Sequence, residues 1–109
     1  MGKYSVNSHF FNRTGRKLFL YPNLKVSDLA ARLYTNRSYI YHAINVEMDT
    51  TFSDYINGLR IDYASRLLEE HPELQINDVI TKSGFTSSSA FYRNFKKFKG
   101  ITPTEKRIK

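Results

Sequence analysis

Ser87-Ser88-Ser89-Ala90-Phe91-Tyr92-Arg93-Asn94-Phe95-Lys96-Lys97-Phe98-Lys99 is the stretch whose reading decides the fold. Its phenylalanines recur at spacings of four and three, the period of one helix face. At about 100° of rotation per residue, Phe91, Asn94, Phe95 and Phe98 share an inner side, and the Phe91/Phe95/Phe98 stripe is expected to be core. Ser89, Tyr92, Arg93 and Lys96 share the outer side, which holds no carboxylate. The serine run supplies a helix cap. Downstream, Thr102-Pro103-Thr104-Glu105 starts another helix, with Thr102 as N-cap, Pro103 in the first position and Glu105 closing a capping box. Upstream, Ile76, Val79 and Ile80 mark a shorter helix that ends at Ser83-Gly84. A short helix, a tight turn and a second helix form the helix-turn-helix outline.

The same outline occurs earlier in the chain. Leu29-Ala30 matches Val79-Ile80 at an offset of 50, and Ile40 and Ile44 match Phe91 and Phe95 at 51. Asp49-Thr50-Thr51-Phe52 matches Gly100-Ile101-Thr102-Pro103, again at 51. The two units therefore differ by one residue, in the turn between their helices. The rest of the chain is also helical in period. Phe10 and Phe11 suggest a short first helix ended by Gly15, and Tyr21-Pro22-Asn23 is a turn signal. Val26, Leu29, Ala30 and Leu33 form one amphipathic helix, and Ile40, Ala43 and Ile44 the next. Phe52, Tyr55, Ile56, Leu59, Tyr63, Leu67 and Leu68 describe one long helix, stopped by His71-Pro72. The fold class is all-α, with about seven helices and no substantial sheet.

Charge separates along the chain. Of 109 residues, 17 are Lys or Arg and 10 are Asp or Glu, a net charge of +7. Residues 1–45 are basic, with Asp28 their one acid, and residues 80–109 are basic, with Glu105 theirs. Residues 46–79 carry eight acids against Arg60 and Arg66. Two basic thirds around an acidic one favour a polyanionic partner. The chain has no Cys, which excludes disulfides, thiolate metal sites and cysteine nucleophiles. His9, His42 and His71 are far apart and lack a carboxylate array, so no metal or other cofactor is expected. No apolar run reaches the ~20 residues of a membrane span, and no signal peptide opens the chain. A soluble, cytoplasmic, nucleoid-associated protein without membrane contact is the expectation.

The outer faces of the two second helices carry the functional reading. On the first, Asn36 falls with Ile40, Ala43 and Ile44, whereas Ser38, Tyr41, His42 and Asn45 face the other way. These faces are polar, rich in hydrogen-bonding groups and free of carboxylates, which suits base edges in a major groove. Arg37 and Ser88 sit at corresponding edges, and Arg37, Lys96, Lys97 and Lys99 suit phosphates that fix register. Backbone N–H groups near Asn36 and Ser87 can also meet phosphate.

On these residues the chain resembles the AraC/XylS-type DNA-binding domain. The second unit carries Gly84-Phe85, Ser89-Ala90-Phe91, Arg93, Phe95-Lys96-Lys97 and Gly100-Ile101-Thr102-Pro103. The first adds Asp28-Leu29-Ala30, Asn36-Arg37-Ser38-Tyr39-Ile40 and Phe52-Ser53-Asp54-Tyr55-Ile56, and the middle Leu59-Arg60-Ile61 with Ala64 and Leu67-Leu68. The resemblance covers residues 17–109. Thr35-Asn36-Arg37-Ser38-Tyr39-Ile40 and Tyr55-Ile56-Asn57 look most like output domains of Bacteroides-type regulators, including hybrid two-component proteins. The resemblance implies two helix-turn-helix subdomains, at 17–50 and 72–109, joined by a central helix at 51–71; residues 1–16, polar at their start, read as an N-terminal segment or linker remnant with a short helix. It implies two recognition helices entering successive major grooves of a long, asymmetric site on double-stranded DNA. By position, Ser38, Tyr41 and His42 read bases in the first unit, with Arg37 beside them. Ser88, Ser89, Tyr92 and Arg93 read bases in the second. Asn36, Arg37, Ser87, Lys96, Lys97 and Lys99 are the phosphate contacts.

Five positions depart from the family's usual pattern. Asp49 stands where Gly is common, so a left-handed helix end falls to an Asp. Tyr34 occupies a turn position that is more often small. Ile44-Asn45 replaces a Phe-Lys pair, and Ile80 an Ala. The function expected is that of a transcription regulator module, not an enzyme. Its possible partners beyond DNA are RNA polymerase, met by acids such as Asp54, Asp62 and Glu69, and a missing N-terminal sensor or dimerisation domain. The polar N-terminus favours the output piece of a longer sensor over a free-standing activator. The alternative from another class is a helical protein-interaction module without specific DNA binding.

Overall fold

The computed structural model describes residues 17–108. The short helix expected around Phe10 and Phe11 lies outside them. A 3-10 turn at Leu18–Leu20 precedes six α-helices: α1 (Val26–Arg32), α2 (Arg37–His42), α3 (Phe52–Glu70), α4 (Ile76–Lys82), α5 (Ser88–Lys99) and α6 (Pro103–Ile108). α2 continues as a π-helical stretch, Ala43–Glu47. Among the described residues there is no strand. The chain divides into two compact units between Ile56 and Asn57, inside α3.

The internal repeat is written into the backbone hydrogen bonds. At an offset of 50, the Leu29 N–H donates to Lys25 O and the Val79 N–H to Gln75 O, both at 3.2 Å. The turns that follow match as well, Thr35 N–H donating to Ala30 O at 2.9 Å and Phe85 N–H to Ile80 O at 3.2 Å. At an offset of 51, Asn36 and Ser87 cap α2 and α5. Asn36 Oδ1 accepts from the Tyr39 N–H at 2.9 Å, and Ser87 Oγ accepts from the Ala90 N–H at 3.1 Å. Thr51 and Thr102 then cap α3 and α6, their hydroxyls accepting from the Asp54 and Glu105 N–H groups, both at 3.1 Å. Glu105 returns a hydrogen bond from the Thr102 N–H at 2.8 Å, completing the capping box. The offset changes between Phe85 and Ser87, so Thr86 is the extra residue of the second turn.

Each unit closes over its own apolar residues. In the first, Leu18, Leu29, Ile40 and Ile44 are 0–1% exposed, and Met48, Tyr55 and Ile56 are buried with them. Burial pushes the Tyr55 phenol well above its ordinary pKa. In the second unit, Ile61, Ala64 and Leu68 of α3 pack with Val79 and Ile80 of α4, Phe85 of the turn and Phe91 and Phe95 of α5. Ile80, larger than the Ala common there, is accommodated at 6% exposure. Ser83 is fully buried and donates to Val79 O at 2.7 Å, which satisfies its hydroxyl. The Arg60 guanidinium lies 5.8 Å from the centre of the Phe85 ring, and partial burial lowers its pKa.

Both units turn through left-handed backbone at matched positions. Tyr34 (φ 56°) pairs with Gly84 (φ 93°), and Asp49 (φ 55°) with Gly100 (φ 76°). Gly takes this conformation without steric cost, whereas an L side chain pays ~1–2 kcal/mol. Asp eases this through its short polar side chain, but a Tyr does not. The first unit therefore carries strain that the second avoids. Its second helix also ends differently, widening to a π turn in which the Met48 N–H donates to Ala43 O at 3.0 Å.

Gly58 occupies the interior of α3, where Gly costs ~0.5–1 kcal/mol relative to Ala. A Cβ there would lie 3.5 Å from Phe98 Cε1, an ordinary contact. Gly58→Ala is expected to stabilise the chain by ~0.5–1 kcal/mol in urea denaturation; a loss of stability would show that the Phe98 ring cannot accept the methyl group.

Candidate nucleic-acid interface

α2 buries Ile40, and the π stretch buries Ala43 and Ile44. That packing turns Arg37, Ser38, Tyr41 and His42 outward, and all four are exposed, as is Asn36 at the helix start. Helical angle alone puts Asn36 on the inner side; as N-cap it stands clear of the core, because cap backbone is extended rather than helical. Its Oδ1 is engaged by the Tyr39 N–H, which leaves the Nδ2 amide as the group able to reach a phosphate.

α5 buries Phe91, Asn94 and Phe95. Asn94 satisfies its amide by donating to Ala90 O at 2.8 Å. Ser87, Ser88, Ser89, Tyr92, Arg93, Lys96 and Lys97 are exposed. Ser87 Oγ is the cap acceptor described above. The Tyr92 ring meets Phe91 edge-on, with centroids 5.5 Å apart. This contact anchors one face of Tyr92 while 43% of the residue stays exposed.

Three expectations need correction. Phe98 is not core: it is 38% exposed, in the last turn of α5, with the Lys97 ammonium 5.4 Å from its ring centre. Lys99 is not a loose cation, since its Nζ sits 2.7 Å from Asp62 Oδ1. The outer face of the first unit is not free of carboxylate either. Glu47, which the π turn brings round, has Oε2 3.9 Å from His42 Nε2. By sequence Glu47 belongs to the acidic middle third; only the wider turn brings it beside the exposed face of α2. Tyr34, at the turn before α2, is 97% exposed.

Two acids of the middle third pair with lysines of the second unit. Asp62 holds Lys99, and Glu69 Oε2 lies 2.7 Å from Lys106 Nζ. Among the described residues no group of three or more His, Cys, Asp or Glu could hold a metal, and no helix is long and apolar enough to cross a membrane.

The chain matches a family model described as a helix-turn-helix domain over residues 29–108. It is 33% identical over 83 residues to the Msm operon regulatory protein of Streptococcus mutans, covering 76% of this chain and 30% of that protein. It is 32% identical over 84 residues to the melibiose operon regulatory protein of Escherichia coli K12, covering 77% and 28%. The chain spans between a tenth and a third of the length of the curated relatives it matches. Among solved structures, the DNA-binding domain of the global transcriptional factor AdpA, in complex with a target DNA, superposes with a TM-score of 0.72 at 22% identity, covering 98% of this chain and 90% of that one.

Proposed function

Because the chain belongs to the AraC-type family of helix-turn-helix domains, a DNA-binding family and not an enzyme family, we propose that it reads a specific, asymmetric duplex through two recognition helices. α2 and α5 would enter successive major grooves. Ser38, Tyr41 and His42, with Ser88, Ser89, Tyr92 and Arg93, contact base edges. Asn36, Arg37, Ser87, Lys96 and Lys97 contact phosphates, and Lys99 does so only by leaving Asp62.

The observation that carries this reading is the shared orientation of chemistry within each unit. In both, the second helix buries its apolar ridge and exposes every residue expected to meet DNA. Arg93 is the best placed reader, since a guanidinium can engage guanine O6 and N7 together. A helical protein-interaction module would need no such paired polar faces. The parent protein would add a sensor or dimerisation domain, in the manner of a two-component output, and act at the nucleoid. Asp62 and Glu69 are occupied by lysines, so they favour charge pairing within the second unit over contact with RNA polymerase.

Selection of bound sequences from random duplexes tests the proposal. It should return one site on the order of two helical turns long, without internal symmetry. A short palindrome, or no enrichment, would count against it. Glu47→Gln should raise affinity for every duplex about two- to fivefold, because it removes a negative charge beside the groove face. A titration showing unchanged or weaker binding would place Glu47 away from the phosphates.

A further inference from the structure

Tyr34 combines three features that the turn itself does not require. It holds left-handed backbone with φ 56°, a conformation unusual for a bulky residue. It is 97% exposed, so it repays nothing in core packing. Its counterpart fifty residues on is Gly84, whose φ of 93° shows that the same turn forms with no side chain. Strain retained by an exposed side chain points to a role outside the fold.

The surroundings indicate what Tyr34 meets. It lies two residues before the Asn36 cap, at the end of α2 that presents Asn36, Arg37 and Ser38, all exposed. From residue 29 to residue 46 the chain contains Arg32 and Arg37 and no Asp or Glu. This stretch, flanked by Asp28 and Glu47, suits a polyanion better than a basic partner. We propose that Tyr34 is a further DNA-contacting residue of the first unit, its phenol donating a hydrogen bond to a backbone phosphate oxygen. Tyrosine hydroxyls are among the groups that make such contacts. The contact fixes the register of α2 and reads no base. The inference rests on the DNA-binding reading above and adds a residue that neither helical period nor family position assigned.

The test uses the whole chain with the duplex obtained by selection and with a scrambled duplex of equal length. The native chain is titrated first; failure to bind either duplex defeats the DNA-binding reading itself. Given binding, Tyr34→Gly should keep or raise the melting temperature while weakening both duplexes about ten- to hundredfold, the worth of one hydrogen bond to a charged acceptor. Tyr34→Phe should lose affinity to the same extent, because the hydroxyl makes the contact. The slope of affinity against salt should not change, since no cation is removed. Unchanged affinity in Tyr34→Gly overturns the proposal while leaving the DNA-binding reading intact. Full affinity in Tyr34→Phe overturns the hydroxyl contact. A loss confined to the selected duplex overturns the assignment to the backbone. A lower melting temperature in Tyr34→Gly shows that the ring serves the fold, and likewise overturns it.

Discussion

Phe91→Ala should remove ~3–5 kcal/mol of folding stability. Phe91 is fully buried, edge-on to Phe85 at 5.5 Å and tilted against Phe95 at 5.7 Å. Together with Phe95 it is the side chain through which α5 meets the core made by α3, α4 and the turn. A small domain holds only ~5–15 kcal/mol in total. Truncation therefore threatens the second unit as a whole, and urea denaturation should show the midpoint falling sharply. DNA binding should fail with it, because Tyr92 and Arg93 are aimed by the same anchor. Phe91→Leu keeps most of the volume and should retain both properties in large part. A loss below ~1 kcal/mol for the alanine variant would mean that α5 is held by something other than its phenylalanine ridge.

Arg93→Ala should cost ~1–3 kcal/mol of binding to the selected duplex and less to a scrambled one. The reason is positional. Arg93 is exposed between the capped start of α5 and its lysine-bearing end, next to the Tyr92 ring anchored on Phe91. On the proposed reading a residue at that place meets base edges rather than the backbone. Lys96→Ala should instead weaken both duplexes alike and flatten the salt slope by about one unit. Equal losses for Arg93→Ala on both duplexes would reassign it to a phosphate. Melting temperatures of both variants should stay near native, because neither side chain is buried.

Much of this architecture can be read directly from residue spacing, and the exceptions have physical causes. Phe91 and Phe95 obey their period because α5 is regular until Gly100 ends it. Phe98 obeys the same period but lies in the final turn, where its ring reaches Gly58 of α3 and is otherwise partly open to solvent. Thr102 and Glu105 form the reciprocal bonds that their spacing of three implies, since capping chemistry is local. The repeat could be placed to within one residue because apolar pairs and caps recur together.

The first unit was harder to read. Its second helix has no glycine to end it, and Asp49 takes the left-handed position instead. The backbone widens into a π turn before that point, and Glu47 swings toward His42. Periodicity at 3.6 residues per turn cannot register such a change. Lys99 and Asp62 are 37 residues apart, and their pairing depends on tertiary placement that no local pattern encodes.

The most direct measurement is the equilibrium affinity of the native chain for the selected and scrambled duplexes across a range of salt concentrations. Both affinities should fall steeply and linearly on logarithmic axes, with a slope set by the number of phosphates neutralised, those proposed to meet Arg37, Lys96 and Lys97 among them. The selected duplex should stay tighter by about a thousandfold or more. Weak binding that ignores both salt and sequence would contradict the two exposed helix faces as a DNA-reading surface.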